Sequence, residues 1–233
     1  MRLHRFYLSE KIGDRKEVKI SSTDFIHQVS RVFRLGVGDK VVLFDGSGND
    51  YISTIKNLTK NEIDLEIAEV NVSQHVPNRK VFLFQSIIKK DKFEWVVEKA
   101  TELGVTDILP ILSERSEKKD LNIERLNKIA VEASEQCQRG DVPIIHNPMK
   151  LDLAIRNNFD CKSVVMHTVG ENFSFARLNL TKSDIGVFIG PEGGWSPAEL
   201  EMFHSTNLPI YSLGKQVLRA ETAAISTLSL LML

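Results

Sequence analysis

The stretch "FIGPEGGWSPAELE", Phe188 to Glu201, decides how the rest of the chain is read, because an apolar run breaks there at a glycine, a proline and two further glycines. The residues just before the break, Ile185 to Ile189, are apolar with β-branched members, the pattern of a strand buried on both faces. Those after it open a helix. Ser196 is the expected N-cap, Pro197 the first helical residue, and Glu199, three positions after the cap, completes a capping box. Gly190 to Trp195 is then a strand-to-helix loop whose glycines permit a positive φ or the close approach of a ligand to bare backbone. Their spacing matches neither G-x-G-x-x-G nor G-x-x-x-x-G-K-[ST], which excludes the usual dinucleotide and P-loop readings.

Working outward, strands and helices alternate on either side of this loop. "KVFLFQSII" reads as a strand, followed by a helix capped at Asp91 with Glu94 at the capping-box position and Phe93, Val96, Val97, Ala100 and Leu103 as its apolar stripe. "DILPIL", "SVVMHT" and "IYSLG" read as further strands, and Leu126, Ile129, Ala130, Ala133 and Cys137 mark a second amphipathic helix. This order predicts an α/β fold with a mostly parallel sheet. Ligands in such sheets sit at the carboxyl ends of strands. Three such ends, at His167-Thr168, Gly190 to Gly194 and Leu213-Gly214, would form one main-chain-lined pocket if their strands are neighbours, a pocket suited to a flat ring such as adenine. "KQVLRAETAA" then brings Arg219 and Glu221 to the entrance of a final helix beside it.

The amino-terminal part has a different pattern. "EIDLEI" alternates, with Ile63, Leu65 and Ile67 on one face, and "VVLFDGSGNDYIST" places a glycine-rich turn between two apolar runs. "STDFIHQVSRVFRLGVGD" reads as one helix whose apolar positions are Phe25, Val29, Val32 and Phe33. A small β-barrel with one helix is predicted for residues 1–72 and the α/β domain for residues 73–233, with Pro77 in the connecting stretch.

The 233 residues carry a net charge of −1, so no general basic coat is expected, although basic residues outnumber acidic ones before residue 40. The amino terminus has no apolar export signal and no run reaches membrane-spanning length, so a cytoplasmic location and no membrane partner are expected. Cys137 and Cys161 show no metal-ligand spacing, and no metal is expected.

Five pieces, "HRFY", "HQVSRVFRLGVGD", "KFEWVVEKATELGV", "EASEQCQR" and "IGPEGGWSPAELE" followed by "LGKQVLRAETAA", resemble the ribosomal RNA small subunit methyltransferase E family of the SPOUT superfamily over nearly the full chain. The resemblance implies an N-terminal PUA-like β-barrel that binds RNA and a C-terminal α/β SPOUT domain with a deep trefoil knot. It also implies a homodimer that uses S-adenosylmethionine to methylate N3 of a uridine in the decoding region of 16S ribosomal RNA within the small subunit. The cofactor residues it implies are Thr168, Ile189, Gly190, Gly193, Gly194, Leu213, Gly214 and Leu218. Arg219 is the expected stabiliser of charge on the uracil ring, and Glu221 the expected base or the group orienting Arg219. Arg5, His27, Arg31, Arg34, Arg115 and Arg139, with His4, are the expected RNA contacts. Trp195 is read either as a stacking platform or as an anchor for its loop. Two rivals remain: a SPOUT enzyme acting on another base or on ribose, and an assembly factor that holds the cofactor without methyl transfer.

Overall fold

The structure, a computed structural model, describes residues 3–117, 120–157, 159–173 and 183–232. It divides into two units, Met1–Val76 with Ser134–Val142, and Pro77–Ala133 with Pro143–Leu233.

In the first unit, β1 (His4–Tyr7), β2 (Glu17–Ile20), β3 (Lys40–Phe44), β4 (Asn49–Leu58) and β5 (Ile63–Val72) form a sheet in the order β1-β3-β4-β5-β2. β1 runs parallel to β3 and the other pairs are antiparallel. The alternation in β5 does what its period requires. Ile63, Leu65 and Ile67 are buried with Phe6, Val41, Leu43 and Ile55, and Phe25, Ile26 and Val29 pack onto that face from the helical segment. That segment is shorter and less regular than its spacing predicts. α1 covers Thr23–His27, capped by the Ser22 side chain at the Phe25 N–H, and Gln28–Val32 continues as a π-helical turn. The Phe33 N–H reaches back five residues to the Gln28 carbonyl at 3.0 Å. Past this widened turn the expected apolar positions diverge: Val32 is 59% exposed, while Phe33, 36% exposed, keeps its ring edge-on to the buried Phe6.

In the second unit, β6 (Val81–Ser86), β7 (Asp107–Leu112), β8 (Ile144–Ile145), β9 (Met149–Lys150), β10 (Lys162–Asn172), β11 (Ile185–Ile189) and β12 (Ile210–Ser212) form one sheet. Its order is β12-β10-β11-β6-β7-β8, with β9 also pairing with β7, and every described pairing is parallel. β11, at the centre, is buried along its whole length, as a strand covered on both faces must be. Pro110 lies inside β7, where it can donate no ladder hydrogen bond. It stands between the residues that pair with β8 (Asp107, Ile108) and those that pair with β9 (Ile111, Leu112), so the missing N–H falls in the gap between two short neighbours.

Among the described residues the further helices are α2 (Lys90–Glu102), α3 (Ile123–Cys137), α4 (Leu151–Arg156), α5 (Pro197–Ser205) and α6 (Ala220–Met232). α2 buries Phe93, Val96, Val97 and Ala100, as its periodicity predicts. Its start differs from the expectation. Lys89 is the N-cap, without a side-chain cap bond, and Asp91 lies inside the first turn, where its charge still favours the helix dipole. α5 carries the full capping box expected of Ser196 and Glu199.

Candidate active site

The pairing of β10 with both β11 and β12 makes the three strand ends neighbours. Met166 stands opposite Ile189 on one side and Tyr211 on the other. Beyond these ends lies a cavity of about 740 Å³, a size suited to a small-molecule ligand. Its walls include Thr168, Ile189, Gly190, Gly193, Gly194, Leu213 and Leu218 from the expected cofactor set, together with Arg219 and Glu221. Gly214, the remaining member, lies one residue beyond the wall at Leu213 and takes φ +135°, a conformation open to glycine.

The glycine-rich loop has three separate reasons for its bare backbone. At Gly190 a Cβ would stand 3.2 Å from the indole of Trp195, and at Gly193 it would stand 3.2 Å from the Cβ of Arg115. Gly194 has φ +66°, in the left-handed region. Two of the glycines therefore admit the chain's own side chains. Trp195 is 2% exposed and donates from Nε1 to the Met166 carbonyl at 3.1 Å, which makes it the anchor that ties loop to strand. Arg115 donates to the carbonyls of Gly193 at 3.0 Å and Trp195 at 3.3 Å. The buried Glu199 carboxylate accepts from the N–H of Ser196 and, through its other oxygen, from the N–H of Glu114 at 2.8 Å. Glu199 thus serves the helix cap and the segment carrying Arg115 at once.

Charged groups line the cavity as well. Glu221 is only 7% exposed, and its Oε1 lies 3.7 Å from the ammonium of Lys92 on α2. Arg219 is exposed at the entry to α6, where its carbonyl accepts from the Ala223 N–H at 2.8 Å. The Lys89 N–H, at the start of α2, donates to Glu192 of the glycine-rich loop at 3.2 Å. Lys89, Lys92 and Glu192 were not singled out by sequence reasoning, although the strand-end rule applied to β6 points to "KKDK" immediately downstream. His167, at the end of β10, also lines the cavity; burial holds its pKa below the usual imidazole value, so it is neutral at pH 7. Among the described residues, no group of three or more His, Cys, Asp and Glu is arranged to hold a metal ion. No helix among them is long and apolar enough to cross a membrane. Cys137 and Cys161 are free thiols, and burial pushes the Cys161 thiol up.

The expected RNA contacts fall into two groups. His27, Arg31 and Arg34 are exposed on the helical segment of the first unit and on the residues after it, and Arg115 is exposed beside the cavity. Arg5 and Arg139 are 9% and 4% exposed. Arg5 forms a two-pronged pair with Asp50 and also donates to the Arg139 carbonyl, while Arg139 pairs with Asp141 at 2.8 Å. Carboxylates already fill the guanidinium positions that a phosphate would take. The rings of His4 and Phe33 lie 4.3 Å apart.

Comparison with known proteins agrees with this arrangement. Residues 75–232 match the model of an RNA methyltransferase domain, and residues 31–68 match that of an RNA methyltransferase PUA domain. Ribosomal RNA small subunit methyltransferase E of Rickettsia conorii is 32% identical over 98% of this chain and 95% of its own length. That of Aquifex aeolicus is 30% identical over 99% of each. Among solved structures, the Legionella pneumophila protein Lpg2936 with bound cofactor SAM superposes with a TM-score of 0.90 at 29% identity, covering 99% of this chain and 97% of its own. Ribosomal RNA small subunit methyltransferase E of Neisseria gonorrhoeae bound to S-adenosyl methionine gives 0.88 at 25% identity, covering 98% and 96%. With an RNA methyltransferase domain model matching most of the chain and full-length relatives at this identity, the chain is a methyltransferase and belongs to the ribosomal RNA small subunit methyltransferase E family.

Proposed function

We propose that this chain transfers the methyl group of S-adenosylmethionine to N3 of a uridine in the decoding region of 16S ribosomal RNA, acting on the small ribosomal subunit in the cytoplasm. The observation that carries this reading is the meeting of three neighbouring strand ends at one main-chain-lined cavity whose walls also carry a nearly buried carboxylate and two cations. The fit to the cofactor is physical as well as familial. The walls at Ile189, Leu213 and Leu218 are apolar, the loops between them offer backbone groups, and the neutral His167 leaves a sulfonium unopposed. Relatives with this fold bind the same cofactor.

S-adenosylmethionine supplies the electrophilic methyl group. The chain's own residues must deal with the N3 proton, because neutral uracil has no free lone pair at that atom. Glu221 accepts the proton before N3 bonds to the methyl carbon, and Arg219 stabilises the negative charge that spreads onto the ring oxygens. Holding the two reactants in line supplies much of the remaining rate, up to roughly 7–11 kcal/mol in favourable cases. His27, Arg31, Arg34 and Arg115 contact RNA phosphates, which position the substrate, while the target base leaves its stack to enter the cavity. Arg5 and Arg139 stay with their carboxylate partners, Asp50 and Asp141. Residues 1–72 are read as a PUA-like barrel, residues 73–233 as a knotted SPOUT domain, and the working form as a homodimer.

The test is methyl transfer from labelled S-adenosylmethionine to purified small subunits lacking the modification, with free ribosomal RNA alongside and nucleoside analysis afterwards. Label in N3-methyluridine is expected. Label in another nucleoside would replace the proposed acceptor, and cofactor binding without transfer would favour the assembly-factor alternative.

A further inference from the structure

The carboxylate of Glu221 is almost buried yet faces a cavity, and the cation facing it comes from another element. Lys92 Nζ stands 3.7 Å from Glu221 Oε1, beyond hydrogen-bond length, and the lysine side chain is 41% exposed. The ammonium is therefore held there by charge, on a flexible four-carbon stem with three donors. Arg219 lines the same cavity from the entry to α6. The site thus offers two donors and, with them, one acceptor: Lys92, Arg219 and the Glu221 carboxylate. The uracil edge around N3 presents the complement, with acceptors at O2 and O4 on either side of the N3–H donor. Cytosine reverses two of these three positions, with an acceptor at N3 and a donor at N4.

We propose that Lys92 is a further catalytic and specificity-determining residue: its ammonium leaves Glu221 for one uracil carbonyl oxygen while Arg219 takes the other. This rests on the uridine-N3 reading above. In the resting site Lys92 balances the charge of Glu221. When Glu221 accepts the N3 proton its charge is gone, and the negative charge now lies on the uracil ring, where O2 and O4 carry it. Lys92 follows that charge. N3 then bonds to the methyl carbon as the carbon–sulfur bond breaks, with its electron pair left on sulfur. Local charge is conserved through the sequence: the carboxylate loses its charge as the ring gains one, the ring and the sulfonium are then neutralised together as N3 is methylated, the ammonium stays protonated, and the proton resides on Glu221 until it passes to water. Before proton transfer the same cation offsets the cost of holding a nearly buried carboxylate in its charged form.

The experiment compares wild type, Lys92→Met and Lys92→Arg on small subunits reconstituted with RNA carrying uridine, cytidine or 5-fluorouridine at the methylated position. Binding is measured with S-adenosylhomocysteine present and rate with S-adenosylmethionine. Lys92→Met is expected to keep its melting transition and cofactor affinity while kcat on uridine falls about 10²-fold, the order for removing one charge-stabilising donor. It is also expected to lose part of the binding preference for uridine over cytidine, with Lys92→Arg restoring part of both. The more acidic N3 of 5-fluorouridine lowers the demand for charge stabilisation, so it is expected to speed Lys92→Met more than wild type. A Lys92→Met enzyme within about twofold of wild type on uridine, or speeded equally by 5-fluorouridine, would overturn the role of Lys92 alone. Failure of wild type to form N3-methyluridine would overturn the reading beneath it as well.

Discussion

Asp45 shows how a single side chain adds to the acid sensitivity of the first unit. Burial pushes its carboxyl up, but hydrogen bonds from Ser47 and from the Ile12 N–H at 2.7 Å outweigh that and hold its pKa below the usual carboxylate value. A carboxyl with a depressed folded pKa contributes stability above its unfolded value, near about 4, and that contribution is lost as pH falls through the folded value. Urea unfolding of Asp45→Asn should show a loss of about 1–3 kcal/mol near neutral pH and a shallower decline on the acid side than wild type. An unchanged acid limb would remove this role. In the site, the proposed chemistry makes Arg219→Ala and Glu221→Gln lose kcat by about 10²-fold or more with little change in cofactor affinity. Single-turnover rates and calorimetric cofactor titration separate the two quantities.

The elements around the glycine-rich loop form a brace, and its parts differ in how far sequence shows them. The capping box was legible because Ser196, Pro197 and Glu199 are local signals, and the buried β11 because an unbroken apolar run has few other uses. What local pattern does not carry is the second use of Glu199, whose other oxygen holds the Glu114 N–H eighty-five positions away in the chain. For the same reason sequence reasoning offered positive φ or the approach of a ligand for the glycines, but not the packing of Trp195 and Arg115 against Gly190 and Gly193. Lys92 was missed because its partner lies on another helix. The π-helical turn escaped too, since the spacing of Phe25, Val29, Val32 and Phe33 is equally good for a regular helix. Glu199→Gln should therefore cost more than a lost cap. It keeps the size of the side chain but loses its charge, and a stability decrease of about 1–2 kcal/mol accompanied by weaker cofactor binding is expected from melting and titration together. A stability loss with unaltered cofactor affinity would confine Glu199 to the helix.

At the scale of the molecule, the proposed division of labour assigns RNA positioning to exposed cations and chemistry to the cavity. Arg31→Ala with Arg34→Ala should weaken small-subunit binding and reduce its salt dependence by about one unit of slope per lost phosphate contact, while leaving cofactor affinity unchanged. With a net charge of −1, long-range attraction to RNA is modest, so a structured subunit is expected to be a better substrate than free RNA. The order of the parallel sheet was not legible from the chain, because β10 is inserted between β11 and β12 by pairings that no local pattern encodes. That insertion is what makes one site of three strand ends.

The most direct measurement is mass spectrometry of nucleosides from the small-subunit RNA of a host that lacks this modification, after expression of the wild-type chain or of its Glu221→Gln variant. The account predicts N3-methyluridine with wild type and a large reduction with the variant at equal protein level. Its absence with a folded, cofactor-binding wild-type chain, or equal amounts from both, would contradict the account.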